Sequence, residues 1–369
     1  MSTQKITDAM IESVDASTLT GTFPAISGAA LTNISGGVNT TNANDPAVNT
    51  NPSGGVGHVW LNSTSAEMFV CTDATAGENV WTNVGAGSGD VEPWSFQGTV
   101  AGYSYGNSVR IEKISFTSDG NATHVADTTN SYGAAGFATN TAGYWQLGPS
   151  NQLVKFIFAT EADATNIATM ATTRAFGAPN SSSTHGYSSG GDYPANKVID
   201  KFNYATEANG TNIGDLTLLR WGPGGSSSET HGYAHGGGGP GAPNMNVIDK
   251  FTFASDNDAT DVGNLYSGTR YISGISSTTH GYAAGGNYTN TVQKFTFASD
   301  GNATDFGDLT ASRGQASGLS STTHGYVCGG NPSGSQVNVI DKFAFGSNNN
   351  ATDVGDLTES KHSQSGLQY

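Results

Sequence analysis

The sequence predicts an all-β fold that is assembled from repeated units of four short strands. A His-Gly-Tyr triplet followed two residues later by Gly-Gly recurs at His185, His231, His280 and His324. A lysine that opens an alternating aromatic run recurs at Lys113, Lys155, Lys201, Lys250, Lys294 and Lys342. Spacings of 42 to 49 residues between these lysines, with β-branched and aromatic alternation between turns of Gly and Asn, are typical of a four-stranded propeller blade.

Each copy divides into four pieces of strand length. In the last copy they are ASRGQASGLSS, THGYVCGG, NVIDKFAF and ATDVGDLT, and turns such as SDNDATD favour a hairpin between the third and fourth. Six copies predict a six-bladed β-propeller over residues 98 to 369. The chain ends on ESKHSQSGLQY, which matches an inner strand without a blade of its own. We expect it to close the ring by pairing into the first blade, because closure removes open sheet edges.

The order of these pieces resembles the kelch repeat. The resemblance rests on a hydrophobic strand ending in Gly-Gly, an aromatic strand, a short outer strand and an arginine before the next inner strand, and it covers residues 98 to 369. The chain departs from the family because it lacks the usual outer-strand tryptophan. The first two copies read AGYSYGNS and AGYWQLGP in place of the Gly-Gly phrase. The resemblance implies a kelch-like β-propeller.

Three segments precede the repeats. Residues 1–35 carry scattered apolar residues without a core of their own, so we expect an extended attachment and oligomerisation segment that orders only against partners. Residues 36–88 predict a small β module in which Trp60 and Trp81 are the only large anchors. Residues 89–97 complete a Gly- and Ser-rich linker that begins at 85, which should behave as flexible coil.

This arrangement, TGTFPAISGAALTNI followed by the small module and a distal repeat domain, looks like the attachment end of bacteriophage tail fibres. The resemblance implies a virion protein that is assembled in the host cytoplasm and is trimeric in the manner of that family. It implies that the N-terminus docks on other baseplate or tail proteins. It also implies that the distal domain faces the host, and aromatic rings beside Asn and Arg on the propeller face would suit a surface glycan there.

Composition excludes several partners. The formal net charge is −16 and charged residues make up only 12% of the chain, so nucleic acid and anionic membranes would be repelled. The N-terminus has no apolar core of signal-peptide type, and no run of eighteen apolar residues occurs. Cys71 and Cys328 lie in different modules, so we expect two small buried residues rather than a disulfide or a metal site.

Most lysines and arginines of the chain occur at two fixed positions of the repeat. We expect the six repeated lysines to pair with carboxylates on the next blade. A second set, Arg174, Arg220, Arg270, Arg313 and Lys361, precedes the inner strands and should form a ring at one face of the propeller. Two interpretations of this ring stay open: it ties blades together through backbone carbonyls, or it binds an acidic or hydroxylated ligand. The candidate ligand-binding residues are Arg220, Trp221, Arg270, Tyr271, Arg313, Tyr193 and Tyr288.

Sequence motifs for metal binding and for catalysis are weak in this chain. The repeated histidines lie in turns of different blades, so they predict structural residues rather than metal ligands. The acidic turn of Asp256, Asp258 and Asp261 lacks the spacing of an EF-hand, although calcium stays an alternative. Without a phosphate-binding loop or a nucleophile elbow, the sequence predicts no enzyme, cofactor or metal. A purely structural virion protein and a glycan-degrading enzyme remain the alternatives to a binding protein.

Overall fold

The computed structural model describes residues 38–84 and 96–369, except 130, 131, 193, 288, 333, 363, 364 and 369. The chain divides into two compact units, Met1–Pro93 and Trp94–Tyr369. The expected attachment segment at 1–35 and most of the expected linker lie outside the described residues. In the described ranges all regular structure is β-strand, and no helix long and apolar enough to cross a membrane occurs there.

The first unit contains one four-stranded sheet. Its strands are β1 (Thr40–Asn42), β2 (Val59–Asn62), β3 (Met68–Asp73) and β4 (Val80–Asn83), in that spatial order. β1 pairs parallel to β2, and the other pairs are antiparallel. The core contains the predicted Trp60 and Trp81, whose ring centroids are 5.9 Å apart. Phe69 is a third large anchor and is fully buried beside Cys71, because both point to the inner side of β3.

The second unit contains six four-stranded antiparallel sheets, which we number in chain order. Sheet 1 contains β5 (Ala101–Tyr105), β6 (Arg110–Ser115) and β7 (Thr123–Asp127). Sheet 2 contains β8 (Ala135–Ala138), β9 (Ala142–Gln146), β10 (Ser150–Ile157) and β11 (Thr165–Arg174). Sheet 3 contains β12 (Ala178–Ser181), β13 (His185–Ser189), β14 (Asn196–Asn203) and β15 (Thr211–Arg220).

The remaining sheets repeat this pattern. Sheet 4 contains β16 (Gly224–Ser227), β17 (His231–His235), β18 (Val247–Thr252) and β19 (Thr260–Asn264). Sheet 5 contains β20 (Ser273–Ser276), β21 (His280–Ala284), β22 (Thr291–Thr296) and β23 (Thr304–Asp308). Sheet 6 contains β24 (Ser317–Ser320), β25 (His324–Cys328), β26 (Val339–Ala344) and β27 (Thr352–Asp356). The last strand, β28 (Ser365–Gln368), belongs to sheet 1.

The C-terminal strand completes the first sheet, as the sequence predicts. β28 pairs antiparallel with β5, with Leu367 opposite Tyr103. The inner strands β8, β12, β16, β20, β24 and β28 contact one another in this order, and β28 in turn contacts β8. The arrangement is therefore propeller-like, with six four-stranded sheets that contact one another through their inner strands.

Small residues let the inner strands approach closely. Gly225 and Gly274 sit opposite each other on neighbouring inner strands, and a Cβ atom on Gly274 would lie 2.0 Å from the carbonyl oxygen of Gly225. Serines join the same strands: the Ser227 amide donates to Ser276 Oγ at 2.9 Å, and the Ser276 amide donates to Ser320 Oγ at 3.0 Å. The centre is thus a polar, tightly packed contact of glycines and serines.

The two repeated phrases meet at the contacts between sheets. The tyrosine of each second strand stacks on an aromatic residue of the following sheet, with ring centroids 4.8 to 5.2 Å apart. The pairs are Tyr103–Phe158, Tyr144–Tyr204, Tyr187–Phe253, Tyr233–Phe297, Tyr282–Phe345 and Tyr326–Phe116. The last pair joins sheet 6 to sheet 1. A single sheet cannot bury its apolar side chains on its own, and these stacks between neighbouring sheets supply part of that burial.

The repeated lysines bridge the same contacts. Five pair with a carboxylate of the following sheet, as predicted, and Lys294 instead donates to Asn348 Oδ1 at 3.1 Å. The five pairs are Lys113–Glu161, Lys155–Glu207, Lys201–Asp256, Lys250–Asp300 and Lys342–Asp119. Cys71 and Cys328 are free and buried, which confirms the prediction for them.

Candidate functional site: the Arg270 pocket

The predicted ring of cations separates into two kinds of residue. Arg174, Arg220, Arg313 and Lys361 are at most 1% exposed. Each lies before an inner strand and forms an ion pair with a buried carboxylate on the third strand of the sheet that follows. The pairs are Arg174–Asp200, Arg220–Asp249, Arg313–Asp341 and Lys361–Glu112. These four cations hold neighbouring sheets together.

Backbone carbonyls accept further hydrogen bonds from each buried guanidinium. Arg174 Nη1 donates to the carbonyl oxygens of Ser188, Gly190 and Val198, each at 2.9 Å. Arg220 Nη1 donates to those of Gly236 at 3.0 Å and Val247 at 3.1 Å. Burial lowers the pKa of the Arg220 guanidinium, and the charge of Asp249 opposes that shift.

Arg220 and Arg313 are therefore removed from the candidate ligand groups. Their side chains turn inward between two sheets, toward a carboxylate that the sequence places beside the repeated lysine, in the phrase VIDKF. A ligand at the face of the sheets would have to break a buried ion pair to reach either guanidinium, which is costly. Their role in the structure matches the first of the two interpretations, a tie between neighbouring sheets.

Arg270 does not occupy the register of the buried cations. When Leu265–Thr269 is aligned with Leu309–Arg313, Thr269 takes the place of the buried arginine and Arg270 follows one residue later. The carboxylate position in the same contact is also changed, because Gln293 replaces the aspartate. Gln293 instead exchanges hydrogen bonds with the backbone of Ser267, at 2.8 and 3.1 Å. Cation and anion are thus lost together.

A second contact shows the same joint loss. In sheet 2 the residue before Lys155 is Val154, and the sequence carries Ser131 where the other copies have the cation. Since a buried charge without its partner is strongly destabilising, loss of one member requires loss of the other. The sequence of the repeat obeys this rule at both changed contacts.

Arg270 is left half-buried at the face of the sheets. Its guanidinium lies 5.5 Å from the centroid of the Tyr271 ring, in cation–π geometry. Its Nη1 donates to the Pro243 carbonyl oxygen at a long 3.4 Å. Arg270 Nε is buried and has no hydrogen-bond partner in the described chain.

Arg270 and Tyr271 line a cavity of about 250 Å³, which we call the Arg270 pocket. Its lining residues are Tyr132, Arg270, Tyr271, Asn287, Gly314, Gln315, Asn331 and His362. They come from four connections between neighbouring sheets and from the segments after β21 and β25. None of the described lining residues is acidic. Burial lowers the pKa of His362, so this imidazole is neutral near pH 7 and adds no charge.

Aromatic rings form one wall beside the pocket. Phe176 makes edge-to-face contacts with Tyr132 and Tyr271, at centroid distances of 5.0 and 5.1 Å. Tyr132 also contacts the His362 ring at 6.1 Å. These contacts fix the ring planes, so part of the pocket presents rigid aromatic surface rather than flexible side chains.

The backbone of this wall is strained. Phe176, Tyr271 and Gln315 have φ of 53°, 56° and 58°, in a register where Gly222 has a φ of 60°. A side chain in this left-handed region costs about 1 kcal/mol or more relative to glycine. Such strain is characteristic of functional positions. The chain carries side chains at positions where the repeat also accepts glycine.

The other candidates lie elsewhere or are not described. Trp221 is half-buried and forms an isolated antiparallel bridge with Gly238, and it does not line the Arg270 pocket. Tyr193 and Tyr288 lie outside the described residues. Of the seven predicted residues, the structure brings Arg270 and Tyr271 together. Sequence reasoning missed Tyr132, Asn287, Gln315, Asn331 and His362.

The repeated histidines have local partners. His185, His231, His280 and His324 each bond through Nδ1 to the hydroxyl of the preceding threonine, at 2.7 to 2.8 Å. Burial is the main cause that lowers the pKa of each. The four side chains belong to four different sheets.

The acidic turn also has local partners. Asp256 pairs with Lys201, Asp258 accepts the Asp215 amide at 2.9 Å, and Asp261 accepts the Gly263 amide at 3.1 Å. Each carboxylate therefore supports the turn or the contact with the previous sheet. Nowhere in the described ranges do three His, Cys, Asp or Glu side chains come together as a metal site.

Comparison of the chain with protein-family models and with curated proteins found no match. The function is therefore inferred from the residues of this chain and from their arrangement.

Proposed function

We propose that this chain is a bacteriophage tail-fibre protein whose six sheets are the blades of one closed, kelch-like β-propeller, and that the Arg270 pocket binds a host surface glycan. One observation carries the glycan assignment. The pocket combines rigid aromatic rings, side-chain amides and an arginine that has no carboxylate within 4 Å among the described residues.

This combination suits the chemistry of sugars. A sugar ring presents C–H groups on its faces, which pack on aromatic rings, and hydroxyl groups at its edges, which both donate and accept hydrogen bonds. The side-chain amides of Asn287 and Gln315 carry donors and acceptors together. Neither amide group forms a hydrogen bond within the described chain. A cavity of about 250 Å³ lies below the usual range for drug-sized ligands, so it fits the end of a glycan rather than a long chain.

The variation among the repeats favours the same face. The segments between the Gly-Gly phrase and the third strand run over 192–195, 238–246, 287–290 and 331–338, so they differ in length and sequence. The tyrosine stacks, the lysine bridges and the inner serines are repeated from sheet to sheet. Variable loops on a repeated framework are where binding function is usually found.

The virion assignment rests on the resemblance of the N-terminal third to phage fibres and on the polar, acidic composition. A trimer would present three pockets at once, so that weak contacts would add to a useful avidity. Light scattering on the full chain should then give three times the mass of one chain. A mass equal to one chain would contradict the trimer.

The glycan assignment is tested by binding the full chain to a panel of immobilised bacterial surface polysaccharides. Tyr271→Gly removes one aromatic ring at a position where the repeat accepts glycine, so the fold should be retained. Tyr266→Gly is the matched control, because Tyr266 is 65% exposed and lies outside the pocket. We expect at least one polysaccharide to bind the native chain and the control but to lose about tenfold in affinity for Tyr271→Gly.

Two results would overturn the assignment. Absence of binding across the panel would favour the purely structural virion protein. Equal binding by both variants would place the glycan elsewhere. Shortened polysaccharide chains after incubation would instead indicate a glycan-degrading enzyme.

A further inference from the structure

We infer that the ligand of the Arg270 pocket is an acidic glycan, and that Arg270 selects it by pairing with a carboxylate on a sugar. The inference rests on the proposed function, because it names the class of glycan that the same pocket would take. It depends on three observations about Arg270 that concern charge, register and surroundings.

The first observation is that the charge of Arg270 is not neutralised by the protein. Among the lysines and arginines that the structure describes, Arg270 and Lys294 alone have no carboxylate within 4 Å. Lys294 is otherwise satisfied, since it donates to Asn348 Oδ1 and lies 4.8 Å from the Phe306 ring centroid. Arg270, by contrast, donates one long hydrogen bond of 3.4 Å to the Pro243 carbonyl oxygen within the described chain.

The second observation is that the contact between sheets 4 and 5 does not need this cation. Thr269 and Gln293 occupy the cation and anion positions of the contact, and both are almost fully buried. The hydrogen bonds of Gln293 to Ser267 replace the ion pair. At the position of Arg270 the neighbouring connections carry uncharged residues such as Ala175, Trp221 and Gly314. Arg270 is therefore an addition to the framework rather than a part of it.

The third observation is the selectivity that this setting gives. The planar guanidinium presents two parallel N–H groups that match the two oxygens of a carboxylate. With no acidic side chain among the described lining residues, a carboxylate on the ligand would meet no repulsion within the pocket. The net charge of −16 disfavours anions over the rest of the surface, so acidic sugars would be accepted chiefly where Arg270 lies.

The test compares acidic bacterial polysaccharides with the same polymers after reduction of their carboxylates to alcohols. Full-length protein is titrated with both forms, as the native chain and as Arg270→Gln, Arg270→Lys and Lys294→Gln. Lys294→Gln is the matched control because it removes the other cation that lacks a carboxylate. Thermal melts of all four proteins establish that each is folded.

We expect the native chain and Lys294→Gln to bind at least one acidic polymer about tenfold more tightly than its reduced form. Arg270→Gln should bind both forms equally, and Arg270→Lys should keep part of the preference because it keeps the charge. If the native chain binds both forms equally, the acidic ligand is wrong while the glycan assignment stands. If no polymer of either form is bound, both proposals are wrong.

Discussion

Arg220 and Asp249 form a fully buried ion pair that joins sheet 3 to sheet 4. The guanidinium also donates to two carbonyl oxygens of sheet 4, and the carboxylate accepts the amide and hydroxyl of Thr217. Every polar atom of the carboxylate is thereby used. A buried ion pair whose carboxylate also accepts from a threonine recurs at three further contacts, twice as Arg–Asp and once as Lys361–Glu112.

Removal of this arginine should destabilise the fold without touching the pocket. Arg220→Met leaves the Asp249 carboxylate buried without a counter-charge, which costs about 3–5 kcal/mol. Urea denaturation measures the loss in free energy of unfolding. Arg110→Met is the control, because Arg110 pairs at 3.8 Å with Glu359 in a partly exposed position, and surface pairs contribute about 1 kcal/mol or less. Similar losses for the two variants would contradict a structural role for Arg220.

The joint loss of charge at the contact of sheets 4 and 5 can be reversed. Gln293→Asp alone buries an unpaired carboxylate and Thr269→Arg alone buries an unpaired guanidinium, so each should be destabilising. The double variant restores the Arg–Asp pair seen in three other contacts. We expect a favourable coupling energy of about 2 kcal/mol in a double-mutant cycle. Additive effects of the two changes would show that the register derived for Thr269 is incorrect.

His235 should make stability dependent on pH. Burial, together with the nearby Arg220 charge, lowers the pKa of His235 to about 3, whereas an unfolded histidine titrates near pH 6.5. Between these values the unfolded chain binds a proton that the folded chain does not bind. The free energy of unfolding should therefore fall by about 1.4 kcal/mol per pH unit as the pH drops below 6.5, and this contribution is constant above it.

His235→Ala isolates this contribution. The aligned positions in sheets 5 and 3 are Ala284 and Ser189, so the repeat accepts a small residue there. The variant should be less stable at pH 7, since a hydrogen bond to Ser226 is lost, but its stability should decline less steeply between pH 6.5 and 4.5. Parallel pH profiles for the two proteins would show that His235 is protonated in the folded state.

Completion of sheet 1 by the C-terminal strand predicts a large effect of a short deletion. Removal of residues 365–369 uncovers the backbone of β5 and removes Leu367, which is 1% exposed in the core of sheets 1 and 2. The melting temperature should fall sharply, because a buried strand is lost and a sheet edge opens. A truncated chain that melts like the full chain would show that β28 contributes little.

Much of the framework could be predicted because the repeat makes it periodic. The repeated sequence motifs predict the strand order, the pairing of β28 and the partners of the repeated lysines. The buried partners of the arginines could also have been found, since Asp249 is replaced by Gln293 in the copy where Arg220 is replaced by Thr269. That comparison would have shown Arg270 to be out of register.

The pocket could not be predicted in the same way. Tyr132 and His362 are far apart in sequence and meet because the strands that follow them, β8 and β28, are neighbours. Asn287 and Asn331 lie in segments that differ from copy to copy, so periodicity says nothing about them. Positions of this kind depend on the assembled structure rather than on any one repeat.

We propose that the Arg270 pocket binds the host, whereas the buried arginines only hold the sheets together. Adsorption of labelled full-length protein to a panel of bacterial strains, measured below all melting temperatures, separates the two roles. The variant that combines Arg270→Gln, Tyr271→Gly and Gln315→Gly should melt within a few degrees of the native chain and lose at least tenfold in adsorption. Arg220→Met should melt much lower and adsorb normally. If the pocket variant adsorbs as well as the native chain, the Arg270 pocket does not bind the host.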